Sequence, residues 1–292
     1  MSNLNPSDKI FVTDNKEFED KLEKMIVDYF ARSNRTLGTG KLHTSSLTYC
    51  IRDQVIRSWL IQTGKNKPED FLDIYAGLNF QRGLESEAFL SKLFGDLVTT
   101  QMDTNLDNIS AHPDVVAKDG SFLLELKNSN TYTTVTLDSD NILSYLYQTI
   151  IYLCATNIDI GHIIIIRGLP HNLTWTFSDK GVSNYAVQSL KKIGERPFKV
   201  ITVNLSKHSP LRDQIKASLN KAYEHITKQD YTDENTIKQF PRLEGYPDNM
   251  KCKYCSVKKH CDKIEPELKD EEIVKALLNK VIKDNIVKIK DQ

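Results

Sequence analysis

The chain has 292 residues, 39% apolar and 27% charged, with 39 basic and 39 acidic side chains in exact balance of formal charge. That composition belongs to ordinary globular proteins. It excludes a global basic field of the kind that advertises a nucleic-acid partner. No apolar run approaches the roughly 20 residues of a membrane helix, and the N-terminus MSNLNPSDKIFVTDNKEFEDK has no apolar signal core, so a cytoplasmic protein without a membrane partner is expected.

Taken in order, residues 1–13 read as a loose start. Phe18, Leu22, Met25, Ile26, Tyr29 and Phe30 then give one face of a helix over Asp14–Ala31. The Gly-containing loop SNRTLGTGKLH is not a phosphate-binding P-loop, because the Gly-Lys-Ser/Thr ending is missing. Ser45 or Ser46 caps a helix carrying Leu47, Cys50, Val55, Ile56 and Trp59, broken at Gly64–Pro68. A second helix is expected over Glu69–Phe94, with Gly83 and Glu87 four residues apart on one face. Asp96–Ile109 should hold a strand.

The stretch AHPDVVAKDGSFLLELK, Ala111 to Lys127, reads as a β-hairpin. Pro113-Asp114 opens a strand, Lys118-Asp119-Gly120 supplies the turn, and Phe122–Lys127 returns. Alternation puts Glu125 and Lys127 on one face and Leu124 and Leu126 on the other. His112, two residues before Asp114, reads as a strand-entry histidine. After a polar loop, ILSYLYQTIIYLCAT is helical and carries Gln148 and Tyr152 as an i, i+4 pair. HIIIIRG, LTWTFS and FKVITVNL read as further strands, and Pro210–Thr227 as a helix with Leu211, Ile215, Leu219, Ala222 and Ile226 in one stripe. Pro266 and Asp270 start a final amphipathic helix through Ile273, Leu277 and Val281.

Two carboxylates and a lysine at one sheet edge suit a divalent cation beside a phosphodiester. Hard cations such as Mg²⁺ take oxygen ligands and keep waters for substrate chemistry. Asp114, Glu125 and the Leu126 carbonyl could hold one openly, and Lys127 could orient a water or stabilise developing charge.

Five cysteines, an odd number, argue against a disulfide framework. Cys154 lies in an apolar helical pattern and reads as core. Cys252-x2-Cys255-x5-Cys261 is a thiolate cluster in need of a fourth ligand. His260 would complete a zinc set, and Cys50 would complete four thiolates for zinc or an iron–sulfur centre. Arg32, Arg35, Lys41, Arg52 and Arg57 stand against Asp53 alone around Cys50, and five lysines stand against Asp262 alone over Lys251–Lys263. Each segment is formally about +4, a candidate phosphate-facing surface.

Pro-Asp, ten residues, then Glu-x-Lys resembles the signature of the PD-(D/E)XK nucleases. The companions Gly83-x3-Glu87 and Gln148-x3-Tyr152, in that order, resemble the RecB-like branch. One N-terminal cysteine with three C-terminal ones, and the text HTSSLTYCIRDQVIRSWL, resemble its iron–sulfur members, the CRISPR-associated Cas-four and AddB-like exonucleases. The resemblance runs from about Lys41 to Cys261. It implies an α/β, restriction-endonuclease-like core with a mixed central sheet and flanking helices, over residues 65–228. It also implies an iron–sulfur subdomain built from 1–64 and 229–292. It implies Mg²⁺ or Mn²⁺ on Asp114, Glu125, the Leu126 carbonyl and Glu87, where many relatives have His. Lys127, Gln148 and Tyr152 would complete the catalytic set, and Cys50, Cys252, Cys255 and Cys261 would hold a [4Fe–4S] cluster. The implied activity is exonucleolytic hydrolysis of DNA, single-stranded or with a free end, from the 5′ side. Alternatives are an end-processing subunit in a CRISPR adaptation or recombination complex, with a protein partner, and a zinc-stabilised non-catalytic DNA-binding module.

Overall fold

The computed structural model describes residues 42–67, 94–129, 140–167 and 198–286, with 24, 37, 88 and 92 as isolated positions. The helix expected over Asp14–Ala31, nearly all of that over Glu69–Phe94, and the strand at LTWTFS lie outside the described residues.

A five-stranded sheet forms the centre, in the order β2 (Val98–Thr100), β5 (Val115–Ala117), β6 (Leu123–Ser129), β7 (Ile160–Arg167), β8 (Phe198–Asn204). All neighbouring pairs are antiparallel except β6 and β7, which run parallel through the crossover helix α3 (Asp140–Thr156). A parallel pair needs such a crossover, because no short turn can bring the chain back in the same direction. Beside it lies a three-stranded sheet, β1 (Leu42–His43), β4 (Ile109–Ala111) and β3 (Thr104–Leu106). The single strand expected over Asp96–Ile109 is therefore three short ones. Gln101 and Asp107, both at positive φ, turn the chain between them. The fold class is as expected: α/β, with a mixed central sheet and flanking helices.

Period-two alternation sorts the sheet residues. Val98, Val115, Leu124 and Leu126 pack together on one face with Ile164 and Ile166. Ile163 and Ile165 turn the other way, onto Ile142 and Leu146 of α3. The unbroken run Ile163–Ile166 thus serves both faces of a buried strand. At Gly161 β7 passes so close to α3 that a Cβ would lie 2.6 Å from Thr149 Cγ2. Only glycine fits there.

The helix expected from Ser45–Ser46 through Trp59 is two helices, α1 (Thr44–Thr48) and α2 (Ile51–Gln62). Extended backbone at Tyr49 and Cys50 separates them, so Cys50 stands at the start of α2 instead of inside a helix. α2 is pinned from within. Arg52 is fully buried, and its guanidinium donates to the carbonyls of Ile237 (2.6 Å), Phe240 and Ile264. A second buried arginine, Arg212 at the start of α4 (Leu211–Thr227), donates to Ile158 O and Leu205 O at 2.6 Å each and to Leu153 O. It fastens the end of α3 to the sheet. Ile215, Leu219, Ala222 and Ile226 of α4 are buried as its stripe requires.

The C-terminal segment carries α5 (Met250–Lys253), α6 (Lys258–Lys263), α7 (Glu271–Leu277) and α8 (Lys280–Asp284). Asp270 caps α7 by accepting from the amides of Glu272 and Ile273. The expected single final helix breaks at Asn279, which is left-handed (φ 53°) and buried. Its side-chain amide donates to Leu47 O at 2.7 Å. That bond ties the C-terminal helices to α1.

Candidate active site

The hairpin forms with one change in detail. Gly120 alone takes positive φ (72°), and Asp119 Oδ1 accepts from the Ser121 amide at 2.9 Å, so the turn is a wider one closed by an Asx contact. β5 and β6 pair only at Val115–Leu124 and Val116–Leu123. Before Val115 the strands part, and Asp114 occupies the opening. Its Oδ2 accepts from the Leu126 amide at 2.7 Å, replacing a missing ladder bond. Both main-chain groups of a strand residue face the same side, so the Leu126 carbonyl is turned to that edge too.

Glu125 and Lys127 project from the opposite face to Leu124 and Leu126, as alternation requires. Glu125 is fully buried and paired with the Lys127 ammonium. Burial alone would depress the lysine. The carboxylates of Glu125 and then Asp114 outweigh it and hold the ammonium protonated, above its ordinary value. From α3, Gln148 and Tyr152 face the same cluster. They are 8% and 3% exposed, and Gln148 Nε2 donates to Tyr152 Oη at 2.7 Å. Burial, then the field of Glu125, raises the Tyr152 hydroxyl, so it stays a neutral donor.

Tyr145 joins the set without having been anticipated. Its ring lies 5.3 Å from Lys127 Nζ. The signal was available: Tyr145, Gln148 and Tyr152 stand at i, i+3, i+7 on one helical face. His112 does not join. It lies outside the strand, bonded to Ser110 Oγ (2.8 Å), paired with Asp103 (2.7 Å) and stacked on His43. Glu87 and Gly83 lie outside the described residues.

The four cysteines singled out from the sequence come to one place. Cys50, Cys252, Cys255 and Cys261 line a small pocket with Asp53 and Lys258. Cys255 Sγ donates to Asp53 Oδ1 at 3.3 Å. Burial is the chief reason the Cys50 thiol is pushed up to about 11 and Cys255 to about 12. The Arg52 guanidinium lies within electrostatic reach of Cys261 and Cys50. Among the described residues, no group of three or more His, Cys, Asp or Glu side chains is gathered tightly enough to hold a metal ion as placed. Cys154 is half-buried and packed against the main core.

The basic segment around Cys50 needs a correction at Arg52. Arg52 is spent on main-chain carbonyls in the interior, and Arg57 is paired with Asp53 at 3.0 Å, so neither is a free phosphate contact. Arg32, Arg35 and Lys41 lie outside the described residues.

No protein-family model matches this chain, and no curated protein does. Among solved structures it is similar to SSO0001, with 16% identity and a TM-score of 0.42 over 82% of this chain and 93% of that one. It is similar to a phage-related exonuclease from Haemophilus somnus 129PT, with 14% identity and a TM-score of 0.42 over 61% of this chain and 91% of that one. It is also similar to the alkaline exonuclease LHK-Exo from Laribacter hongkongensis, with 14% identity and a TM-score of 0.38 over 65% and 92%. No helix among the described residues is long and apolar enough to cross a membrane.

Proposed function

We propose that this chain hydrolyses phosphodiester bonds in DNA, as a metal-dependent exonuclease acting on strands with a free end. The observation that carries the proposal is the convergence of Asp114, Glu125 and Lys127 at the parting of β5 and β6, faced by Gln148 and Tyr152 from α3. The donor set fits a hard cation in kind: two carboxylates, with a strand carbonyl turned to the same edge. Asp114, Glu125 and Leu126 O would hold Mg²⁺ or Mn²⁺, with Glu87 as the further ligand the motif order suggests. When bound, the cation polarises the scissile phosphate and acidifies a water.

The chain's own residues do the rest. Lys127, kept protonated by the two carboxylates, offers a fixed positive charge to a phosphate oxygen as negative charge develops there. The Leu126 amide holds Asp114 in one orientation, so the carboxylate needs no reorganisation when substrate arrives. Tyr152 and Gln148 wall the cluster from α3 with neutral polar groups. Entry from the 5′ end is part of the proposal and rests on the resemblance alone.

Cys50, Cys252, Cys255 and Cys261 fit a thiolate-ligated centre in kind and number, and a [4Fe–4S] cluster is the reading proposed for them. A single zinc ion is the second reading. It is favoured by the short Cys252-x2-Cys255 spacing, which is common to structural zinc sites. Either centre would be structural, joining α2 to the C-terminal segment.

The test is an anaerobic assay on end-labelled single- and double-stranded DNA, labelled at either end, with and without Mn²⁺, on wild type and Asp114→Ala. Metal-dependent release of label by wild type and its loss in the variant are expected. Equal activity in the two proteins would sink the assignment. Iron, sulfide and zinc content of the same preparation decides between the two readings of the cysteines.

A further inference from the structure

A second cavity lies at the N-terminal end of α3 and shares Cys50 and Leu243 with the cysteine pocket. It has a volume of about 410 Å³, within the range of small-molecule sites. Its walls come from the α1–α2 junction, the first turns of α3, and the C-terminal segment. Tyr49, Ser144, Tyr147, Asn249 and Lys251 are among its lining.

Tyr49 is the unusual member. Extended backbone between α1 and α2 turns it outward, and it is 46% exposed. A ring so placed contributes little to the core. Lys251 Nζ sits 5.1 Å from its centroid and donates to Ser144 Oγ, so a cation and an aromatic face are presented together at the cavity rim. Tyr49 also lies within electrostatic reach of both Lys127 and Tyr145. The Tyr145 ring is in turn 5.3 Å from Lys127 Nζ, so the cavity rim stands close to the acid–lysine cluster. Of the two acidic residues of the wall, one is neutralised. Glu244 is held by Lys280 at 2.9 Å and by Lys283, leaving Asp248 as the other carboxylate there.

We propose that Tyr49 and Lys251 form an entry subsite for unpaired DNA, one base stacking on the Tyr49 ring and its phosphate pairing with the Lys251 ammonium. This rests on the nuclease reading above and adds to it a substrate class. A base inside a duplex keeps its faces covered by its neighbours. A ring set at the rim of a concave site therefore takes only a base that is already unstacked. Every base has a π-face, so the subsite is indifferent to sequence. Beyond it the strand passes Tyr145 and reaches Lys127 and the two carboxylates.

The test compares two fluorescent probes by equilibrium anisotropy, with the full chain and no added divalent metal. One is a twelve-residue oligothymidylate, the other an abasic strand of the same length. Wild type is expected to bind the first about tenfold more tightly, the contribution of one stacked base. Tyr49→Ala should bind both alike, and Tyr49→Phe should keep the preference. Lys251→Gln should weaken both probes equally and lower the slope of log K against log salt by about one. If Tyr49→Ala fails to fold, Tyr49→Leu, which keeps bulk without an aromatic face, serves in its place. A wild-type preference retained in Tyr49→Ala or Tyr49→Leu overturns the subsite. Cleavage of DNA by that same wild type would leave the nuclease reading standing, whereas neither binding nor cleavage by wild type would remove both.

Discussion

The Leu126 amide donates to Asp114 Oδ2 at 2.7 Å, so the acid is oriented by the main chain of the strand that carries its partners. Asp114→Asn keeps an oxygen for that bond and removes only the charge. The variant should fold normally, with a melting temperature close to wild type, and lose cleavage by on the order of 10²-fold or more. Melting curves and rates on the same preparation check both halves.

Lys127 and Glu125 form a pair in which one member is fully buried. Lys127→Ala should abolish cleavage and also cost about 3 kcal/mol, because it leaves a buried carboxylate without its counter-charge. Adding Glu125→Gln should restore most of that stability and none of the activity. A double-mutant cycle in urea, run beside the nuclease assay, separates the two effects.

Tyr152→Phe removes the acceptor of Gln148 Nε2 in a buried place. The expected cost is about 1–2 kcal/mol. Cleavage should fall as well, because the neutral hydroxyl that faces Glu125 is gone. Chemical denaturation and a rate measurement at saturating DNA would show whether the two losses occur together.

Arg52→Ala strands the carbonyls of Ile237, Phe240 and Ile264 in the interior, each at about 1–3 kcal/mol, and should cost about 3–5 kcal/mol after relaxation. Arg57→Ala breaks only a part-exposed pair with Asp53 and should change stability by less than about 1 kcal/mol. If both arginines faced phosphate, each substitution would weaken DNA binding and neither would cost much stability.

Tyr231 tests the alkaline side of the stability profile. Burial raises its hydroxyl above the ordinary tyrosine value, and it donates to Ile226 O at 2.9 Å. The folded state therefore keeps a proton that the unfolded chain releases above about pH 10, so this contribution is present at neutral pH and fades as pH rises beyond that point. Tyr231→Phe should cost about 1 kcal/mol at pH 7, with the gap to wild type closing above pH 10. Urea midpoints at pH 7, 9 and 10.5 measure it.

The hairpin, the crossover helix and strands β7 and β8 could be read from the sequence because their patterns are local. Asp119-Gly120 marks a turn, and the alternation around Glu125 assigns faces. The pairing of Glu125 with Lys127 on one face follows from the same alternation. What escaped depends on partners distant in the chain. Arg52 reads as a surface charge because nothing near it in sequence shows that Ile237 and Ile264 will enclose it. Asn279 breaks the final helix to reach Leu47 O, a contact spanning most of the chain. Tyr49 is passed over because a residue between two short helices has no periodicity to be read.

The carbonyls that receive Arg52 follow it by 185 to 212 positions. During synthesis at 5–20 residues per second, α2 must therefore wait roughly ten to forty seconds for them to emerge. Over that interval its guanidinium can only remain in water, and the apolar face around Val55 and Ile56 has no lid. The order of translation thus makes the C-terminal segment the last part of the interior to close. A ribosome stalled before Ile237 would hold a nascent chain whose N-terminal helix is still accessible to chaperones and proteases.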